Sequence, residues 1–388
     1  LSGNTSPLRI GIVAAELSGD LLGAGLIQAL QQRFPQARFE GIGGPRMIAA
    51  GCRSLFPMER LSVMGLVEVL RHLPELLGIR RRLVRHFLAN PPDLFIGVDA
   101  PDFNLGLERK LKQRGIPTVQ YVCPSVWAWR TWRVKKIRRS ADLVLCLLPF
   151  EKPFLEQHQI RAADIGHPLA DEIPLEIDAE AARARIGLAG DGRVVALLPG
   201  SRMSEVRSLT SDFLRAAQRC LEREPSLRFV VPLASRRIRD WFEQQLRQIA
   251  PALPVTLLDG NSRDAMAAAD VVLAASGTAT LEALLLKRPT VVAYRVHLLT
   301  YEIGQRLLRL LKIKYVSLAN LVADEGLAPE FIQYAVTPEA LAGALLRFLE
   351  SPGQVAAIQA RYRELHQQMR RDASQAAAAA VLELIHTQ

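Results

Sequence analysis

Cysteine is scarce in this chain and never clustered: Cys52, Cys123, Cys146 and Cys220 are all it has. Their wide spacing excludes a disulfide framework and offers no close pair of metal ligands, so they are expected as reduced, buried thiols of a cytosolic protein. No charge-free apolar run is long enough to cross a bilayer, so an integral membrane protein is not expected. The stretch Leu1 to Pro7 is short and polar and lacks the basic region and apolar centre of a secretion signal. The dinucleotide fingerprint G-x-G-x-x-G is also missing. The loop Ala15-Glu16-Leu17-Ser18-Gly19-Asp20 follows the first strand, and Gly23 and Gly25 fall within the next helix, which leaves nicotinamide and flavin cofactors without support. Acidic residues are in the minority, 39 against 49 Lys and Arg, for a net charge of +10. That excess calls for an anionic partner, either nucleic acid or an acidic membrane surface. No nucleic-acid module accompanies the basic run Arg133 to Arg139, so nucleic acid is not the expected partner.

What the chain does have is alternation. Apolar strands and helical patterns follow one another through 388 residues, more than one core usually covers, and this predicts an α/β protein with two doubly wound parallel sheets. The first half offers strands at Leu8–Ala14, Arg38–Ile42, Leu94–Val98, Thr118–Val122 and Leu143–Leu147. The second offers Val194–Leu198, Arg228–Pro232, Val255–Leu258, Val271–Ala274 and Thr290–Tyr294. The aperiodic stretch from His167 to Asp178 separates the two series. The expected organisation is therefore a domain over 1–172, a second over 173–355, and C-terminal helices over 356–388 that either pack on their own domain or return to the first.

Two strand exits in the second half carry chemistry. Leu197-Leu198-Pro199-Gly200-Ser201-Arg202 ends a strand in a turn and opens a helix beside a permanent cation. Ala275-Ser276-Gly277-Thr278 ends another with small residues that leave amides uncovered for an anion. Glu282, about one helical turn further, is placed to accept hydrogen bonds from ribose hydroxyls. Each stretch alone also reads as ordinary turn and cap chemistry. The pair, Arg202 for phosphate and Glu282 for sugar, describes a nucleoside diphosphate site.

In the first half Glu16 ends a central strand, at the edge where open sheets bind ligands, or is a solvated loop carboxylate. Val98-Asp99-Ala100-Pro101-Asp102 ends a buried strand in two carboxylates. Either partial desolvation raises the pKa of Asp99 toward that of a general base or Asp99 is a turn aspartate, while Asp102 is expected to cap the next helix. Asp20 is likewise expected to cap the helix Asp20 to Arg33. Trp127, Trp129 and Arg130 either wall an acceptor or are core aromatics beside a solvated charged face. Val63, Met64, Leu66, Val67, Val69, Leu70, Leu73, Leu76 and Leu77 form an apolar stripe that runs into Arg80, Arg81, Arg82, Arg85 and His86. The stripe is either a core helix or a face that enters acyl chains while guanidinium groups meet lipid phosphates.

With these residues in view, the chain resembles the lipid A disaccharide synthases, inverting glycosyltransferases of bacteria that make lipopolysaccharide. The likeness runs from the Ala15–Asp20 loop to Arg363-Glu364-Leu365-His366-Gln367-Gln368. It is most specific in Val63–Leu70, Asp99–Asn104, Pro124–Arg130, Leu198–Arg202 and Val316–Leu321, where Ala319 stands at a position the family often fills with proline. The resemblance implies the GT-B architecture of two facing Rossmann-like domains. It implies transfer of 2,3-diacylglucosamine from UDP-2,3-diacylglucosamine to 2,3-diacylglucosamine 1-phosphate, giving the β-1,6 tetraacyl disaccharide 1-phosphate and UDP. It further implies a cytosolic enzyme held peripherally at the inner membrane, possible homodimers, and no metal or other cofactor, in keeping with the absence of an Asp-x-Asp motif. Asp99, Glu16, Arg202 and Asn320 match functionally sensitive positions of the family. In the mechanism this implies, Asp99 is the base; Arg202, Ser201 and the amides of Ser276, Gly277 and Thr278 stabilise the departing diphosphate; and the Leu258–Met266 loop contacts uracil. A sugar-nucleotide epimerase of similar fold and a non-catalytic nucleotide-binding module at the membrane surface are the competing readings.

Overall fold

The computed structural model describes residues 7–61, 66–124, 133–188, 192–295 and 314–387, with the backbone path alone over 66–71. Val63, Met64, Trp127, Trp129 and Arg130 lie outside the described residues. Two compact units emerge: one holds residues up to Asp171 together with Met369 onward, the other Glu172–Gln368.

The first unit is built on β1 (Arg9–Ala14), α1 (Leu17–Arg33), β2 (Arg38–Ile42), α2 (Pro45–Ala49), β3 (Cys52–Ser54), α3 (Leu66–Ala89), β4 (Leu94–Val98), α4 (Pro101–Lys112), β5 (Thr118–Tyr121), α5 (Val134–Ser140), β6 (Leu143–Cys146), α6 (Glu151–Gln157) and β7 (Ala162–Asp164). Its strands pair in parallel in the order β3-β2-β1-β4-β5-β6-β7. β1 and β4 are central and almost wholly buried, as their continuous apolar runs require when helices cover both faces. On one face Ile10, Ile12, Ile96 and Val98 pack with α1. On the other Phe95 packs with Leu83 and Phe87 of α3 and Leu107 and Leu111 of α4.

The second unit follows α7 (Pro168–Glu172). It contains α8 (Ala179–Arg185), β8 (Val194–Leu198), α9 (Met203–Arg223), β9 (Arg228–Leu233), α10 (Arg236–Ile249), β10 (Val255–Asp259), α11 (Ser262–Ala268), β11 (Val271–Ala275), α12 (Thr278–Leu285), β12 (Thr290–Tyr294), α13 (Leu318–Ala323), β13 (Glu330–Ile332), α14 (Pro338–Glu350) and α15 (Pro352–Met369). The sheet is again parallel, ordered β10-β9-β8-β11-β12-β13. Each order reverses direction beside a central strand, at β1/β4 and β8/β11, which is the switch point where such sheets take their ligands.

The C-terminal stretch is divided between the units. α15 stays with the second, while α16 (Ala373–His386) packs Ala377, Ala378 and Val381 against the α1 face of the first. Asp171 fixes the start of α16, its carboxylate accepting from the amides of Asp372 (2.9 Å) and Ala373 (2.7 Å). Asp20 does not cap its own helix. α1 begins earlier, at Leu17, and the buried Asp20 carboxylate instead accepts from the amides of Arg46 (2.9 Å) and Met47 (3.0 Å) at the start of α2. Asp102 is not a cap either: residue 100 is the N-cap of α4, and Asp102 in the first turn pairs with Arg133 at 3.0 Å. All four cysteines are free and buried, and burial pushes the Cys52 and Cys220 thiols up to about 12, leaving them inert.

Candidate active site

In the second unit, the exits of β8 and β11 open onto a cavity of about 420 Å³, within the size range of ligand pockets. Ser201, Arg202, Ser276, Gly277, Thr278 and Glu282 all line it, with Gly260 and Ser262 from the β10 loop. Gly200 turns the chain at φ 128°, and a Cβ there would come within 2.5 Å of the Glu205 side chain, so glycine is required. Sequence reasoning missed Glu205. Its carboxylate accepts from the amides of Ser201 (3.2 Å) and Arg202 (3.3 Å) and meets the Arg202 guanidinium at 3.4 Å, so it holds the turn and balances that cation. The signal was present in the spacing: a carboxylate three residues into a helix reaches back to the helix start.

At β11 the donors differ from expectation. The Ser276 amide already donates to the Ala293 carbonyl (3.0 Å), and its hydroxyl donates to Val316 O (3.3 Å). The N-terminal amides of α12 beyond it have no place in the helical ladder, and nothing lies within 4 Å of where a Gly277 Cβ would sit. An anion can therefore approach the backbone closely there. Glu282 is largely buried, and burial raises its pKa against the opposing pull of Arg263, whose Nε stands 3.5 Å away.

Asn320, a position the resemblance marks as functionally sensitive and as a candidate for UDP binding, is not among the residues that line the cavity. It is 1% exposed, it donates to Ala328 O (2.7 Å) and Glu330 (2.8 Å), and it accepts from the Ala328 amide (2.9 Å). With its amide so committed, it anchors the segment whose Val316 carbonyl receives the Ser276 hydroxyl and whose Leu318 amide donates to Thr280 Oγ1 (3.1 Å). Its role is to hold the cavity wall from behind.

In the first unit, Asp99 stands at the tip of β4. Both it and Ala100 are left-handed, at φ 52° and 42°, a conformation that costs a non-glycine residue on the order of 1–3 kcal/mol. The strain is held from below. The Asp99 carbonyl accepts from Asn104 Nδ2 (2.8 Å) and Gln120 Nε2 (3.2 Å), and its amide donates to Tyr121 O (2.8 Å). Burial raises the pKa of its carboxyl, and an Ala100 backbone hydrogen bond pulls it partly back. Beneath lies a group the sequence did not single out: Glu108, 0% exposed, with both carboxyl oxygens lacking partners, as do Asn104 Oδ1 and Gln120 Oε1. Burial holds its pKa well above the usual range, which favours the protonated form.

Glu16 is exposed at the start of α1. Since Ala14 pairs with Val98 in parallel register, Glu16 and Asp99 leave adjacent strands at the same edge of the sheet. Along α3, Leu73 is 41% exposed and Leu76 and Leu77 are half-buried, while Ile79, Leu83 and Phe87 are core. The side chains of Leu66, Val67, Val69 and Leu70 lie outside the described residues. Among the described residues no helix is long and apolar enough to cross a membrane.

Comparison with known proteins fits this geometry. The family model described as lipid-A-disaccharide synthetase matches residues 10–384. The lipid-A-disaccharide synthase of Pseudomonas aeruginosa (strain UCBPP-PA14) is 57% identical, over 97% of this chain and 98% of its own length. That of Hahella chejuensis is 53% identical over 98% and 95% respectively. Among solved structures, the Anabaena protein Alr3699/HepE, in complex with UDP and glucose, superposes with a TM-score of 0.59 at 15% identity, covering 98% of this chain and 100% of its own. The calicheamicin glycosyltransferase CalG4 gives 0.60 at 15% identity, covering 99% of each chain. At such identities these structures speak for the fold alone, whereas the relatives above 50% decide between transferase and epimerase. The chain belongs to the lipid-A-disaccharide synthase family: it is a glycosyltransferase of GT-B fold that acts on a UDP-sugar and a sugar phosphate.

Proposed function

We propose that the chain transfers 2,3-diacylglucosamine from its UDP carrier to the 6-hydroxyl of 2,3-diacylglucosamine 1-phosphate in one inverting displacement. Asp99 takes the proton of the attacking hydroxyl as the new bond forms at the anomeric carbon and the bond to UDP breaks. Charge growing on the diphosphate is met by Arg202, the Ser201 hydroxyl and the amides of Gly277 and Thr278, fixed donors that need no reorganisation as the reaction proceeds. Glu282 takes the ribose, and the Gly260–Ser262 segment the base. Glu16, on the strand beside Asp99, orients the acceptor. The observation that carries this reading is the Asp99 carboxyl: partly desolvated and held at a switch point by backbone bonds, it has the properties of a general base.

Both substrates carry acyl chains, so the enzyme works at a bilayer surface, attached peripherally to the inner membrane. The exposed Leu73 at the head of an arginine-rich helix and the net charge of +10 support that attachment. The test is turnover of purified UDP-diacylglucosamine with and without diacylglucosamine 1-phosphate, resolved by lipid chromatography. A tetraacyl disaccharide that appears only with acceptor is the expected result. A free sugar released without acceptor, or UDP binding with no product, would sink the assignment.

A further inference from the structure

The outer side of α4 carries an excess of positive charge that the mechanism above does not use. α4 is flanked by α3 and α5, and its Asp102 and Gly106, four residues apart, lie on one stripe of the helix. At the upper end of the stripe Arg133 pairs with Asp102 at 3.0 Å, its side chain only 16% exposed. One turn lower the Arg80 guanidinium rests on the helix backbone, so that a Cβ on Gly106 would come within 2.5 Å of its Nη1. Lys136, one turn along α5 from Arg133, feels the charges of Asp102, Arg133, Arg80 and Glu108 together. Burial favours the protonated form of Glu108, and the Asp102 carboxylate is already taken up by Arg133. Among the described residues neither Arg80 nor Lys136 has an ion-pair partner. Both are half-buried, and desolvation, aided by neighbouring cations, lowers the pKa of each. The fold thus holds two partly dehydrated, uncompensated cations together, an arrangement relieved by an anion with several acceptor oxygens.

Its place in the chain selects the anion. Asp102 is three residues beyond Asp99, so the cluster starts within about 11 Å of the base. In the acceptor, the hydroxyl that Asp99 must reach and the phosphate lie at opposite ends of one sugar ring. We propose that Arg80 and Lys136, with the Arg133–Asp102 pair as their fixed wall, form the subsite for the phosphate of the sugar-phosphate acceptor. This rests on the transfer reading above and adds to it the residues that recognise the acceptor.

The test compares Arg80→Gln and Lys136→Gln, which keep long polar side chains and remove the charge, with the wild type. Losing one charged contact to phosphate should raise the acceptor KM roughly tenfold to a hundredfold and leave the donor KM in place. With diacylglucosamine that lacks the phosphate, the same variants should differ from wild type by no more than about twofold. An equal penalty on both acceptors would make the cluster structural and overturn the proposal. An unchanged acceptor KM with weakened binding to phosphatidylglycerol vesicles would overturn it in favour of lipid headgroups. A binding titration with glucosamine 1-phosphate separates this proposal from the transfer reading, because it needs no turnover. Wild type should bind the probe and both variants should bind it at least tenfold more weakly; equal binding by all three would end the proposal even if turnover follows the mechanism above.

Discussion

The end of β4 and the ends of β8 and β11 meet the same problem, a buried strand delivering functional groups to a sheet edge, and solve it in opposite ways. At β8 a glycine takes the one left-handed turn, and the groups on offer are amides, a hydroxyl and an exposed cation. At β4 two successive non-glycine residues are left-handed, and the group on offer is a half-buried carboxyl held through its own backbone. The difference fits the two tasks proposed for them. A diphosphate is held by donors around open space, and water in that space is displaced when the ligand binds. A base must have its position and its hydration controlled before substrate arrives, and backbone strain with a buried polar support supplies that control.

The contrast breaks most sharply at Asp99. Asp99→Asn should lower kcat/KM by roughly 10²–10⁴, with UDP affinity unchanged in a direct binding measurement. A matching loss of UDP affinity would show that the two edges do not divide the work. Because burial raises the Asp99 pKa and the base must be ionised, kcat/KM of the wild type should climb with pH through a midpoint above the ordinary aspartate range of about 3.9. Next in size, Gly200→Ala places a Cβ against Glu205 in a left-handed turn and should weaken UDP binding on the order of tenfold, through about 1–2 kcal/mol of strain. The variant should still unfold cooperatively, a few degrees below the wild type.

Smaller effects sharpen the picture of the support beneath Asp99. The raised native pKa of Glu108 means that the folded state keeps a proton the unfolded chain has lost, so its contribution to stability falls as pH rises from the ordinary carboxylate range toward the native value. Glu108→Gln removes that loss. It should melt with wild type near pH 4 and several degrees above it near pH 8, where about 1 kcal/mol moves Tm by ~2–4 °C in a domain of this size. A melting difference independent of pH would mean that Glu108 is not held neutral. The smallest effect is Ala100→Gly, which relieves a left-handed residue and should stabilise the first unit by up to about 1 kcal/mol in denaturant unfolding.

Much of this architecture was legible in the residues. Leu94–Val98, Val194–Leu198 and Thr290–Tyr294 occur as strands with the bounds their apolar runs predict, because a strand covered on both faces must be continuously apolar. The edge strands Cys52–Ser54, Ala162–Asp164 and Glu330–Ile332 were not legible, being three residues each and too short to show a period. Of the candidate site, six residues at the β8 and β11 exits do line one cavity, since local turn chemistry dictates them. What escaped depends on distant partners. Asp20 bonds amides 26 and 27 residues away, and the Asn320 side chain is committed to Ala328 and Glu330. Glu108 reads as one more charge on a helix until Gly97 is found beneath it, where a Cβ would come within 2.2 Å of its carboxyl.

The first unit is interrupted in sequence: α16 completes its helical layer, and Asp171 fastens that helix in place. On the ribosome, the α1 face of the sheet emerges long before the helix that shields it. The whole of Glu172–Gln368 is synthesised in the meantime, so the second unit is free to fold first while the part of that face beside α1 and over β6 waits for α16. During translation, then, the vulnerable part of the nascent chain is this first unit, and chaperone contact should concentrate there until Ala373–His386 has been made.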